Sequence, residues 1–177
     1  MPIKSRLFAL SCIALVFSSC GNNQPVDRSG PPATPTPAAG MVTSADVVKV
    51  QAANVALSAG GNADAAVTLS ISPNFHVNAN PASYSYLIPS ELKAEKLEGL
   101  TAGKPVYPAA EKKKFQFAPE PLAVYEGEAL IKLPLYAEKN ITNGTLSLPV
   151  SVRVQACDHE QCFPPATLKT TISVEVK

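Results

Sequence analysis

The chain has 177 residues, a length that fits one domain of ordinary size, and its 15 lysines and arginines nearly balance its 14 aspartates and glutamates. A formal net charge of +1 gives no field that would gather a polyanion, so we expect no nucleic-acid partner. The 17 prolines predict much loop or linker, and the 2 histidines are too few for a histidine-rich metal site. We expect no cofactor.

The N-terminal segment has the pattern of an export signal. Lys4 and Arg6 precede an apolar run over residues 7–17, which is too short to cross a bilayer as a helix. Two serines then precede Cys20, which resembles the lipobox of bacterial lipoproteins. Residues 1–20 therefore predict a lipoprotein signal peptide with lipidation at Cys20, and a plain secretory signal cleaved nearby is the alternative. We expect a membrane-anchored lipoprotein on the periplasmic side of the bacterial cell envelope, with the choice of inner or outer membrane undecided.

Two further regions follow the signal. Residues 21–40 are rich in proline and almost free of large apolar side chains, which predicts a disordered linker. Residues 41–177 predict one domain of strands, because apolar residues alternate with polar ones and turn residues separate the alternating segments. The pattern favours an antiparallel two-sheet sandwich, with at most one turn of helix over 90–100. The clearest alternating segments are 48–50, 67–71, 131–135, 146–154 and 172–176.

Cys157 and Cys162 lie in the loop before the last predicted strand, with four residues between them. Such a loop can bring two cysteines close enough for a disulfide. Export would place the protein in an oxidising compartment, where the disulfide form persists. A structural staple is one interpretation, although closing a loop of about six residues stabilises a fold by only about 2 kcal/mol.

The same segment allows two other interpretations. Together with His159, the cysteines offer two thiolates and an imidazole, which are fewer ligands than structural zinc requires but enough for copper(I). The third interpretation is a reversible dithiol. Asp158 and Glu160 disfavour a thiolate here, which suits a disulfide that is attacked by the activated thiolate of a partner. Spacing alone leaves the structural and the redox interpretations open.

The segment 154–165 resembles the active-site signature of a known family, the N-terminal periplasmic domain of the thiol-disulfide interchange protein DsbD. The likeness extends from about residue 42 to the C-terminus. It includes, in the family's order, the stretches 75–81, 86–89 with 91–92, 105–108 and 124–128.

The resemblance implies an immunoglobulin-like β-sandwich that relays reducing equivalents between thioredoxin-fold periplasmic proteins, as a component of a protein-disulfide reductase system. Cys157 and Cys162 would be the exchanging pair, with Cys157 joined to partners in mixed disulfides. No transmembrane helices and no thioredoxin-like Cys-x-x-Cys domain follow Lys177 in the sequence, so the resemblance predicts a separate membrane electron donor.

The resemblance also indicates residues around the pair. Phe117 is expected to supply the aromatic ring of a cap loop that shields the disulfide, with Glu120 nearby. His76 falls where the family carries tyrosines beside its site, although an ordinary loop or core histidine is the simpler interpretation. Val154 departs from the family, which has a tyrosine there. The alternative function is a non-catalytic envelope lipoprotein that binds a partner and carries a purely structural disulfide.

Overall fold

A computed structural model describes residues 42–177. The predicted signal peptide, the lipidation site Cys20 and the linker over 21–40 lie outside the described residues. The described part is nearly all β, as predicted, and no helix in it is long and apolar enough to cross a membrane. Its elements are α1 (Ser44–Val47), β1 (Val48–Ala52), β2 (Val55–Leu57), β3 (Asn62–Ile71), β4 (His76–Asn78), β5 (Glu91–Ala94), β6 (Leu100–Ala102), β7 (Glu111–Lys113), β8 (Leu122–Tyr125), β9 (Glu128–Ala137), β10 (Gly144–Val154), β11 (Ala156–Cys157) and β12 (Ala166–Val176).

Two four-stranded sheets form the sandwich, with strand orders β1-β3-β9-β6 and β2-β12-β10-β5. In β3, β9 and β10 the apolar residues of the alternating pattern are buried and the residues between them are more exposed, as a strand with one face in a core requires. The inner faces of both sheets contribute to one core, which confirms the sandwich. Its largest fully buried side chains include Leu69, Ile131, Leu133, Leu135, Leu148 and Ile172.

The prediction of a helical turn over residues 90–100 is wrong, because this segment contains the strand β5 and the first residue of β6 and has no helix. Leu92 explains the difference. Its side chain is only 3% exposed, and the residue lies opposite Val152 where β5 pairs with the edge of β10. Burial against an existing strand therefore decides the conformation over the weak local preference for helix.

The sandwich also departs from a purely antiparallel arrangement. β2 pairs in parallel with β12, with Val55 opposite Val174. The chain passes from β1 at the edge of one sheet to β2 at the edge of the other within the two residues 53–54. The first part of the domain therefore contributes to both sheets.

A third, small sheet has the order β11-β4-β8-β7 and positions the cysteine segment. One face of this sheet joins the main core through Val77, Tyr125 and Ala156. Its opposite face lies under a separate apolar cluster that includes Phe115 and Leu122. The sequence patterns did not predict this sheet, because its strands have only two to four residues and show no clear alternation.

Candidate functional site

The cysteine segment is a tight hairpin closed by a disulfide. Cys157 ends β11, and its sulfur is bonded to that of Cys162 with a Cα–Cα distance of 3.9 Å, shorter than the usual range of about 4.4–6.8 Å. The Asp158 amide donates to the Gln161 carbonyl at 2.9 Å, and the Phe163 amide donates to the Ala156 carbonyl at 2.8 Å. The bond that the spacing allowed is therefore present.

Asp158 shapes the turn between the two cysteines. Its Oδ1 accepts the backbone amides of Glu160 and Gln161, each at 2.8 Å. These bonds from Gln161 and Glu160 lower the pKa of the Asp158 carboxyl. The carboxylate is thus ionised at neutral pH and engaged in holding the loop.

Ser44 braces the hairpin from the start of α1. Its buried hydroxyl accepts the amide of Ala156 at 2.8 Å and donates to the carbonyl of Pro164 at 2.8 Å. One side chain therefore connects the two sides of the cysteine hairpin to the N-terminal part of the domain. Sequence reasoning missed Ser44, because only the Thr43 and Asp46 capping pattern indicates a helix start there and nothing local indicates the distant contact.

The two cysteines differ in exposure. Cys157 is 0% exposed, whereas Cys162 is only partly buried. Cys162 lines a pocket of about 270 Å³ together with Tyr86, Phe117 and Gln155. A visiting group therefore meets Cys162 first in this conformation.

His76 lies directly opposite Cys157 in the antiparallel pairing of β4 with β11. Its ring is stacked on that of Phe115, with centroids 4.0 Å apart and an interplanar angle of 20°. The side chain is 2% exposed, and its Nε2 has no hydrogen-bond partner among the described residues. His76, which the resemblance placed near the cysteine pair, therefore lies beside Cys157 in the structure.

Burial lowers the pKa of His76 to about 4. The negative charges of Glu126 and Asp158 act in the opposite direction, and His159 and Lys113 add to the lowering. Lys113 also forms an ion pair with Glu126, which offsets part of the field of that carboxylate. The imidazole is therefore neutral at physiological pH.

An aromatic cap covers this face of the third sheet. Phe115 is 3% exposed between His76 and Phe117, and the rings of Phe115 and Phe117 are stacked 5.4 Å apart. Lys114 closes the cap loop by donating from Nζ to the carbonyls of Ala118, at 3.0 Å, and Pro119.

The predicted cap residues have different places in this arrangement. Phe117 is 39% exposed and lines the pocket beside Cys162, so it belongs to the rim. Phe115, which sequence reasoning did not select, is the buried ring of the cap. Glu120 is exposed on the surface beyond the cap loop and is not part of the pocket wall.

The metal interpretation has no support in the geometry. In residues 42–177, no group of three or more histidine, cysteine, aspartate or glutamate side chains is arranged to hold a metal ion. The two sulfurs are bonded to each other, so neither is a thiolate ligand in this state.

These observations define a class of protein: an all-β sandwich domain with a short-loop disulfide at an aromatic pocket. Residues 44–173 match the family described as thiol:disulfide interchange protein DsbD, N-terminal. The chain belongs to this family, which confirms the resemblance found in the sequence. No curated protein matches the chain significantly.

The solved structures that are similar to the chain include two N-terminal domains of related description. The N-terminal domain of DsbD from Neisseria meningitidis, in its reduced form, is 20% identical, with a TM-score of 0.45 over 73% of this chain and 86% of that one. The N-terminal periplasmic domain of ScsB from Proteus mirabilis is 10% identical, with a TM-score of 0.48 over 77% of this chain and 50% of that one.

Proposed function

We propose that this protein is a thiol-disulfide exchange module that relays reducing equivalents between thioredoxin-fold proteins through the Cys157–Cys162 disulfide. The observation that carries the proposal is the position of this bond, at a pocket beneath an aromatic cap, in a chain that belongs to the DsbD N-terminal family. A buried staple would need no pocket beside it. Its six-residue loop would also contribute only about 2 kcal/mol to stability in the chain-entropy model.

The exchange proceeds in two steps. A partner thiolate attacks the Cys162 sulfur, the disulfide breaks, and the Cys157 sulfur leaves as a thiolate that takes up a proton. The second thiolate of the partner then attacks the mixed disulfide and releases Cys162. The domain has gained two electrons and two protons, and the partner dithiol has become a disulfide. The reverse sequence passes the electrons to an acceptor.

Cys162 is the proposed point of attack because exchange requires access to the sulfur. The family resemblance assigned this role to Cys157, but Cys157 is completely buried and Cys162 lines the pocket. The sulfur that leaves does not have to be reached by the partner, so the burial of Cys157 is compatible with this role. Phe117 and Tyr86, which are exposed at the pocket, would contact the partner, while Glu120 has no role that these contacts support.

The proposed setting is the periplasmic side of the bacterial envelope, where Cys20 would carry the lipid anchor and residues 21–40 would form the tether. The signal-like sequence of residues 1–20 supports this location. The described residues contain only one cysteine pair, so the electrons would come from a separate membrane donor through a thioredoxin-fold protein.

Electron transfer from a reduced thioredoxin-fold protein tests the proposal. We expect the oxidised full chain, mixed with about a tenfold excess of reduced thioredoxin, to gain two thiols within minutes, because thioredoxin at about −270 mV is sufficiently reducing. Thiol labelling and mass spectrometry measure the gain. The variant with both Cys157→Ala and Cys162→Ala is the control and should gain none. A disulfide that stays intact in the unmodified chain would refute the exchange function.

A further inference from the structure

We propose that His76 is a positioning residue that accepts a hydrogen bond from the Cys157 thiol once the disulfide is reduced, and so stabilises the dithiol form. The inference deepens the proposed function and rests on it, since it concerns the reduced state of the same pair. It assigns His76 a role in the redox equilibrium, which an ordinary core histidine would not have.

The strand pairing puts the two side chains on the same face. Val77 and Ala156 are opposite each other and belong to the main core. Neighbouring residues on a strand point to opposite faces, so His76 and Cys157 both point to the cap. Directly opposed residues in an antiparallel pair have Cβ atoms about 4.5–5.5 Å apart. This distance is within reach of a hydrogen bond between a thiol and an imidazole.

The oxidised structure leaves the acceptor without a donor. Buried polar atoms in proteins nearly always have hydrogen-bond partners, yet Nε2 of His76 has none among the described residues. The Cys157 sulfur cannot supply a hydrogen while it is bonded to Cys162. Reduction converts that sulfur to a thiol, which is a hydrogen donor, at the position facing the imidazole.

The charge state of His76 suits an acceptor. Burial keeps the imidazole neutral at physiological pH, and a neutral ring accepts at one nitrogen when its proton is on the other. The charged and titratable groups around it are Glu126, Lys113, Asp158 and His159.

The balance of the reaction is that of ordinary exchange. Both electrons and both protons come from the partner dithiol, which becomes a disulfide. His76 neither gains nor loses a proton, and it contributes only the new hydrogen bond. Its effect therefore appears in the equilibrium between disulfide and dithiol.

His76→Phe tests the proposal, because phenylalanine can keep the stack on Phe115 and lacks the acceptor. The full chain is equilibrated with defined mixtures of reduced and oxidised glutathione, or of dithiothreitol. We expect the equilibrium of His76→Phe to shift about fivefold towards the disulfide, as the loss of one hydrogen bond predicts, which is a reduction potential about 20 mV lower. His76→Gln, which has an acceptor oxygen, should restore much of the difference.

His159→Phe is the matched control, since His159 is exposed with its ring centroid 6.2 Å from that of Phe115. Its equilibrium should stay within about twofold of the unmodified chain. An unchanged equilibrium in His76→Phe, or an equal shift in His159→Phe, would overturn the proposal. The ¹⁵N resonance of His76 Nε2 in the unmodified chain gives an independent readout if a variant does not fold. It should move on reduction, and a resonance that stays in place also overturns the proposal.

The test of His76 uses glutathione or dithiothreitol, so its outcome does not depend on whether thioredoxin-fold proteins exchange electrons with the chain. A shift in His76→Phe together with no transfer from reduced thioredoxin would contradict the relay and support the hydrogen bond. Transfer at the expected rate together with no shift would contradict the hydrogen bond alone.

Discussion

Cys157→Ala is expected to form mixed disulfides with a thioredoxin-fold protein at least about tenfold faster than Cys162→Ala. Within residues 42–177, the thiol that remains in Cys157→Ala is Cys162, which lines the pocket, whereas the thiol that remains in Cys162→Ala is Cys157, which is completely buried. Reaction of the buried thiol requires the cap to open first, and exchange rates depend on access.

A stopped-flow experiment measures the two rates directly. The partner retains only its nucleophilic cysteine, activated as the thionitrobenzoate adduct, so that each exchange releases one coloured leaving group. The variant with both Cys157→Ala and Cys162→Ala keeps Cys12 and Cys20 and therefore corrects for background release. Equal rates, or faster reaction of Cys162→Ala, would contradict the assignment of Cys162 and restore Cys157 as the residue joined to partners.

Phe115→Ala has the second large expected effect, because Phe115 is the buried ring of the cap. Truncating a buried phenylalanine costs about 3–5 kcal/mol in the free energy of unfolding, and we expect a loss near the lower end of that range. The change also removes the ring that covers His76 and supports Phe117. Dithiothreitol should therefore reduce the disulfide about tenfold faster than in the unmodified chain.

Phe117→Ala is the matched control for this prediction. Phe117 is already 39% exposed, so its truncation should cost less stability and leave the face shared by His76 and Cys157 covered. Denaturant unfolding and the rate of reduction are compared for both variants. A Phe115→Ala variant whose disulfide is reduced no faster than in the unmodified chain would show that the buried ring does not shield the disulfide.

The long strands could be predicted from the sequence because each repeats its alternation several times. β9, β10 and β12 have ten or eleven residues, enough for the period of two to appear clearly. β4 has three residues, all buried, because the main core lies on one side and the cap on the other. Burial on both faces removes the alternation by which a strand is recognised in a sequence.

The candidate site was predictable only in part, for a similar reason. The cysteine pair and its surroundings follow from spacing and resemblance, since they are contiguous in the chain. Ser44 and Phe115 reach the site through tertiary packing, which no local pattern encodes. Phe115 and Phe117 are two residues apart with similar neighbours, so the sequence could not decide which ring is buried and which forms the rim.

The equilibrium reduction potential of the Cys157–Cys162 bond tests the central claim most directly. Thioredoxin-fold proteins that exchange disulfides have potentials between about −270 and −120 mV, and we expect a value in this range for a partner of such proteins, measured on the full chain. A potential below about −300 mV would contradict the exchange function, because a bond so resistant to reduction behaves as a permanent structural cross-link.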